Sequence, residues 1–248
     1  TRVECTFSVE LVGSGAAGTA PRVGKALRAC GLSETVAANT SVTYAPVSGS
    51  FESATIHYNV DGVLHKTTGC RGTYSISATV GEIPTIDFSF QGIYVAPLNA
   101  ALPTVTYGAQ ATPLVFKNGN TAGFELLAYA GALQSFSLDA GIETQYMELV
   151  GGTKEVHLID RQTSGSVTIE APKPGTKDYF AAALTDQSLG NLQFTHGDTA
   201  GNIVKFTSSK VDIGDVSYSE LNGIVMADIP FTACPSTAGN DEIELQYK

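Results

Sequence analysis

One stretch limits the possible folds more than any other. Gly72 to Tyr94 reads GTYSISATVGEIPTIDFSFQGIY. Tyr74, Ile76 and Ala78, then Ile86, Phe88 and Phe90, fall on one side. Thr73, Ser75, Ser77 and Thr79, then Thr85, Asp87, Ser89 and Gln91, fall on the other. Period-2 alternation with one apolar face predicts a long β-hairpin turning near Gly81-Glu82. Its polar face carries one charge and no large side chain except Gln91. Such a face suits a smooth, wetted wall better than a binding pocket.

The rest of the chain reads as more of the same class. Thr1–Val12 alternates as a strand with a clear polar side. Pro21 and Gly31 bracket helical spacing at Val23, Ala26, Leu27 and Cys30, which predicts a short helix from about Ala20 to about Cys30. Strands follow at Ser41–Val47 and Ala54–Val60, and Val60-Asp61-Gly62-Val63 is the strongest hairpin signal in the chain. Pro97, Pro103 and Pro113, with Asn99, Gly108 and Asn118-Gly119, mark a long connection. Gly123–Gly141 reads as a strand, although FELLAYAGAL also permits a helix; QYMELVGG and EVHLIDRQ read as strands.

From Ser164 the order of the first half returns. SGSVTIEAP is a short strand, KPGTKDYFAAALTDQ a Pro/Gly loop and a small-residue helix at Tyr179–Leu184, and further strands end in a hairpin turning at Asn222-Gly223. The matching order predicts an internal duplication, with units at 1–105 and 106–248. Each unit carries one short helix and one long hairpin among its strands. On this alignment Pro113–Thr163 has no counterpart ahead of Thr1, so a partner segment is expected upstream.

Composition narrows the function. With 43% hydrophobic and 15% charged residues, the chain is a folding sequence and not a disordered one. It has 24 acidic against 14 basic residues, net charge −10, and no basic cluster, which argues against gripping phosphates. Cys5, Cys30, Cys70 and Cys234 lack metal-ligand spacing and read as reduced core thiols of a cytosolic protein. No apolar run is long enough to span a bilayer as a helix.

Motifs for chemistry are weak. GSGAAG fits G-x-G-x-x-G between a strand and a helix, but the strand alternates, Pro21 interrupts the link, and strands follow where a β-α-β unit is required. A two-residue turn at Asp61-Gly62 sets Tyr58 against His65 and His57 against Lys66, so these histidines do not face each other. Asp212/Asp215 and Asp241/Glu242/Glu244 read as solvated charge in turns or a tail. Asn39-Thr40-Ser41 fits the glycosylation pattern, with nothing to indicate secretion. No catalytic constellation, cofactor site or metal site is found.

PRVGKALRACGLSETV, SVTYAPVS, FESATIHYNVDGVLHKTTGCRGTYSI and GEIPTIDFSFQGIYVAP together resemble tail tube (major tail) proteins of long, non-contractile-tailed, siphovirus-type bacteriophages. The resemblance covers residues 1 to 105 well and the remainder in outline. It implies that each unit is a β-sandwich or barrel with one flanking helix and a long hairpin, in a virion protein without enzymatic activity that is assembled in the host cytoplasm. Hairpins of neighbouring subunits would join into a β-barrel that conducts DNA, and rings would stack along the tail. Two units per chain imply a homotrimeric ring with pseudo-sixfold symmetry. The implied partners are further copies of the chain, the tape-measure, tail terminator and distal tail proteins, and DNA in transit only, with no membrane.

Thr73, Ser75, Ser77, Thr85, Asp87, Ser89 and Gln91 are then expected to line the lumen, with Asp212, Glu220 and Asp228 from the second hairpin. Leu98, Asn99, Tyr107 and Asn118 are expected at contacts between rings. The competing expectation is a non-catalytic, carbohydrate-binding β-sandwich, for which the absence of Trp is unfavourable.

Overall fold

The computed structural model describes residues 1–105, 111–185 and 189–248. Among them the chain is mainly antiparallel β, arranged in two layers over a shared core.

The first layer is built around the hairpin of β5 (Val63–Thr79) and β6 (Thr85–Asn99). β1 (Arg2–Glu10) lies on the β6 side. On the β5 side stand β8 (Leu133–Asp139), β11 (Ser164–Glu170) and β15 (Ile224–Ala233) in turn. β14 (Ser217–Leu221) and the end of β13 (Val204–Ile213) share the last lane beside β15. The tip between Thr79 and Thr85 includes Gly81 at φ +95, at the place the alternation predicts.

The second layer runs β7 (Thr121–Leu126), β12 (Gly190–His196), the first half of β13, β16 (Glu244–Tyr247), β3 (Ser41–Pro46) and β2 (Leu32–Ala37). β13 passes from this layer to the first through a register break between its pairings at Ser208 and Val211. There the Ser208 hydroxyl donates to the Glu242 carbonyl at 2.6 Å. A bulge of this kind bends a strand from one sheet to the next.

Alternation decides what lies between the layers. Tyr74, Ile76, Ala78, Ile86, Phe88 and Phe90 are all buried. Phe136 of β8 stands with its ring centroid 4.8 Å from Phe194, 4.9 Å from Phe206 and 6.2 Å from Phe231. Gly165 permits this approach, because a Cβ there would come 2.1 Å from the Ser137 carbonyl and 2.7 Å from the Phe231 ring.

The helices are short. α1 (Gly24–Ala29) starts later than its spacing predicts, since Pro21 belongs to the turn that leads in. α2 (Tyr179–Ala183) is capped by Asp178, which accepts from the Ala181 amide at 2.9 Å. The Tyr179 hydroxyl donates to the Leu126 carbonyl at 3.1 Å.

Several expectations need correcting. Gly123–Gly141 is not one strand: Leu127 and Ala128 take φ of 49 and 61 and reverse the chain between β7 and β8. The segment after Gly31 is a strand, β2, ahead of the first strand expected after the helix, at Ser41. Nor is the tail simply solvated: Glu242 is buried and Leu245 pairs with both Tyr44 and Phe206. Ile243, Leu245 and Tyr247 alternate with Glu244 and Gln246, and all three are buried.

β9 (Ile142–Glu148) and β10 (Lys154–Arg161) form a separate hairpin. Arg71 pins it by donating to Glu155 at 2.7 Å and to the Val156 carbonyl at 2.6 Å. Arg161 pins the far end against Glu242 and the Val47 carbonyl. All four cysteines are free, Cys30 and Cys70 being buried.

His196 is buried. Its Nε2 lies 3.2 Å from the Leu114 carbonyl, and its Nδ1 lies 2.9 Å from the Thr121 hydroxyl. A carbonyl only accepts, so Nε2 carries the proton and Nδ1 accepts from Thr121. Burial lowers the ring's pKa, partly opposed by the Leu114 bond. The unfolded chain therefore binds this proton more readily, and stability falls as pH drops below about 6.5. We expect the urea midpoint to decline from pH 7.5 to pH 5.5. In His196→Gln that decline should flatten; an equal decline in the variant would assign it to other groups.

Candidate functional site

Across the first layer the pairings align residues from strands far apart in sequence. One row runs Ser8, Asp87, Ser75, Asp139, Ser164, Thr232 and Asp212. It spans seven lanes and carries three carboxylates and no base. The next row runs Glu10, Thr85, Ser77, Ser137, Ser166 and Pro230. A third runs Thr79, Ser135, Thr168, Asp228 and Ser217. Rows offset by one residue are the apolar counterpart, with Val9, Ile86, Ile76, Leu138, Gly165, Phe231 and Ile213 in one of them. The result is one long, two-faced sheet.

The polar face satisfies much of its own hydrogen-bonding capacity. The Ser137 and Ser166 hydroxyls are 2.8 Å apart. Thr168 donates to Asp228 at 2.6 Å, Asp139 accepts from the Gly141 amide at 2.9 Å, and Thr73 accepts from the Ile142 amide at 3.3 Å. Thr6, Ser8, Thr73, Ser75, Asp87, Ser89 and Asp139 border a shallow concavity of about 440 Å³. A surface of short, mutually bonded hydroxyls and carboxylates repels phosphate and offers no deep pocket.

Thr73, Ser75, Ser77, Thr85, Asp87, Ser89 and Gln91 share this face, joined by Asp212 and Asp228. Glu220 does not. It pairs with Val225, one residue out of phase with Asp228 opposite Ser217, and so points to the side where Tyr218 meets Phe180. Ser8, Glu10, Ser135, Ser137, Asp139, Ser166 and Thr168 also belong to the face and were not singled out from sequence. Their own alternation was visible; their partners, 60 or more positions away for Thr168 and Asp228, were not.

The expected inter-ring residues separate. Leu98 and Asn99 end β6 beside Leu64 and Val63, next to the Asp61-Gly62 turn. Asn118 lies at the opposite end, near Phe116, whose amide and carbonyl bond Glu82 and Gly81 of the hairpin tip. Tyr107 lies outside the described residues. The Gly-rich loop is committed elsewhere: the Gly13 amide donates to Asn202 and the Gly15 amide to the Gly201 carbonyl. The register at the other turn follows its expectation, with Tyr58 opposite His65 and His57 opposite Lys66.

One relation recurs along the chain. TFSVE (Thr6–Glu10) parallels SVTIE (Ser166–Glu170), and IDFSFQ (Ile86–Gln91) parallels ADIPFT (Ala227–Thr232). The pairing couples them alike: Ser8 faces Asp87 as Thr168 faces Asp228. Between these two places the lateral row drifts, since the row through Asp87 meets β15 at Thr232 and not at Asp228.

A comparison with protein families matches residues 1–233 to one described as phage tail tube protein. Comparison with curated proteins gives no significant match.

Proposed function

The chain belongs to the phage tail tube protein family, and we propose that its two-faced sheet is the tube wall, polar face inward, conducting DNA after the tape-measure protein has left. As a member of that family it is a structural component of the virion tail. The polar row that runs unbroken across seven lanes, with two shorter rows beside it, carries this reading. An apolar face buried under the second layer leaves only the polar face for a channel.

The drift of the rows supports a barrel. Four strand steps, from β6 to β15, displace equivalent positions by four residues. At ~3.3 Å per residue and ~4.8 Å per strand, this tilts the strands by about 35°, within the range closed barrels use. Three chains in a ring, each bringing two equivalent units, give a wall of pseudo-sixfold symmetry roughly 40 Å across. The units are 1–105 and 106–248. Ring closure removes exposed sheet edges, and head-to-tail stacking extends the tube. Tail terminator and distal tail proteins would meet its two ends, after assembly in the host cytoplasm of a phage with a long non-contractile tail. Catalysis has no part in this role.

Electron cryo-microscopy of concentrated protein tests it. Hollow cylinders with Asp87 and Asp228 inside are expected; monomers alone, or α1 and α2 lining the channel, would overturn it. We also expect Asp87→Lys/Asp228→Lys chains to form tubes that retain short duplex DNA at low salt and release it steeply as salt rises. Tubes of the unsubstituted chain should retain none.

A further inference from the structure

Among the described residues the first layer has two open edges, and both have covered counterparts inside the same chain. β8 stands between β11 and β5, pairing Ser164–Ile169 on one side and Ser75–Thr79 on the other. The recurrent register makes β1 the counterpart of β11, and β14 the counterpart of Ser75–Thr79. Among the described residues β1 pairs only with β6, and β14 only with β15. Each free edge is therefore the edge that β8 occupies elsewhere.

Burial points the same way. Val167 and Ile169, on the apolar face of β11, are 0% exposed under β8 and the second layer, whereas Phe7, the counterpart of Val167, is 37% exposed. Phe7, Val9, Val23, Ala26, Ile56 and Phe90 form the apolar part of a groove of about 400 Å³ along β1, which Glu10, Arg22 and Lys25 also border. Against β11, the matching space holds Phe136 and Leu138, both buried.

We propose that β1 of one copy and β14 of the next are the two sides of a slot that takes one extended strand, alternating small polar with large apolar side chains as β8 does. Its apolar side chains seat in the groove beside Phe7. Its polar ones complete the wall between Ser8 and Ser217, and its backbone satisfies both open edges by strand addition. The slot thus gives each chain eight lanes, four per unit. The role of β14 rests on the tube reading above; the β1 half does not.

A peptide with the β8 sequence, ALQSFSLDA, tests the β1 half on dilute monomeric protein, where ring formation is not needed. Hydrogen exchange should slow at least tenfold at the β1 amides that face away from β6, saturably with peptide. A control peptide with serine at the positions of Phe136 and Leu138 should give no protection. Phe7→Ala should abolish the protection while leaving exchange in β12 and β13 unchanged. No protection at 1 mM peptide, protection confined to other strands, equal protection by the control, or indifference to Phe7→Ala would each overturn the proposal. None of these outcomes bears on whether the protein forms tubes.

Discussion

Phe136→Ala is expected to destabilise the protein by about 3–5 kcal/mol, the range for emptying a well-packed aromatic site. The ring is 1% exposed and meets Phe194, Phe206 and Phe231, which come from three other strands in both layers. No single neighbour can collapse into so shared a space, so the cavity persists and the cost sits at the high end. Its strand also bridges the two halves of the chain, pairing with β5 on one side and β11 on the other. Urea unfolding should show the loss as a lower midpoint with an unchanged slope. Phe7→Ala, at a half-open site, should cost no more than about 1–2 kcal/mol. A Phe136→Ala loss no larger than that of Phe7→Ala would mean the two layers are not held together at this point.

The contrast between these two phenylalanines shows what sequence carries and what it does not. Both sit on the apolar side of an alternating strand, and that much follows from period 2 alone. Which one is covered depends on a partner strand: β8 reaches β11 across 24 intervening residues that include a separate hairpin. Local pattern therefore revealed the hairpin Gly72–Tyr94, its faces, its tip and the family resemblance. It revealed the polar side of the strand that holds Ser8, but not that Ser8 stands in a row with Asp87 or that Thr168 stands in a row with Asp228.

Glu220 illustrates the same limit. Counting by twos from Asp212 and Asp228 places it with them, but the break at Gly214–Val216 shifts β14 by one residue against that count. A one-residue slip turns a whole strand over. Leu127-Ala128 is the parallel failure. Leu and Ala are poor turn residues; the turn is held by the paired backbone bonds between Leu126 and Tyr129 and by Asn191, which accepts from the Leu127 and Ala128 amides. β16 was lost because its partners, β3 and β13, lie about 200 and 40 residues before it.

β16 also leads to the second large effect. The approach to it carries Glu242, whose side chain is 7% exposed and paired with Arg161, 20% exposed. Arg161 also donates to the Val47 carbonyl at 2.9 Å, so one guanidinium joins the end of β10, the exit of β3 and the entry to β16. The other carboxylate oxygen, Oε2, has no hydrogen-bond partner among the described residues, which leaves the ion pair as the main compensation for burying this charge. Arg161→Met should therefore cost about 3–5 kcal/mol, chiefly by stranding a buried carboxylate. Replacing both partners, in Arg161→Met/Glu242→Leu, should recover most of that loss, since a buried pair gives little net stability over an apolar pair of similar size. Urea midpoints of the parent, the two single variants and the double variant close the cycle. If the double variant is as unstable as Arg161→Met alone, the stranded charge is not the cause. The loss would then lie in the hydrogen bonds from Arg161 to the Val47 carbonyl and the Asn240 side chain, and the junction of β3 with β16 would depend on those contacts.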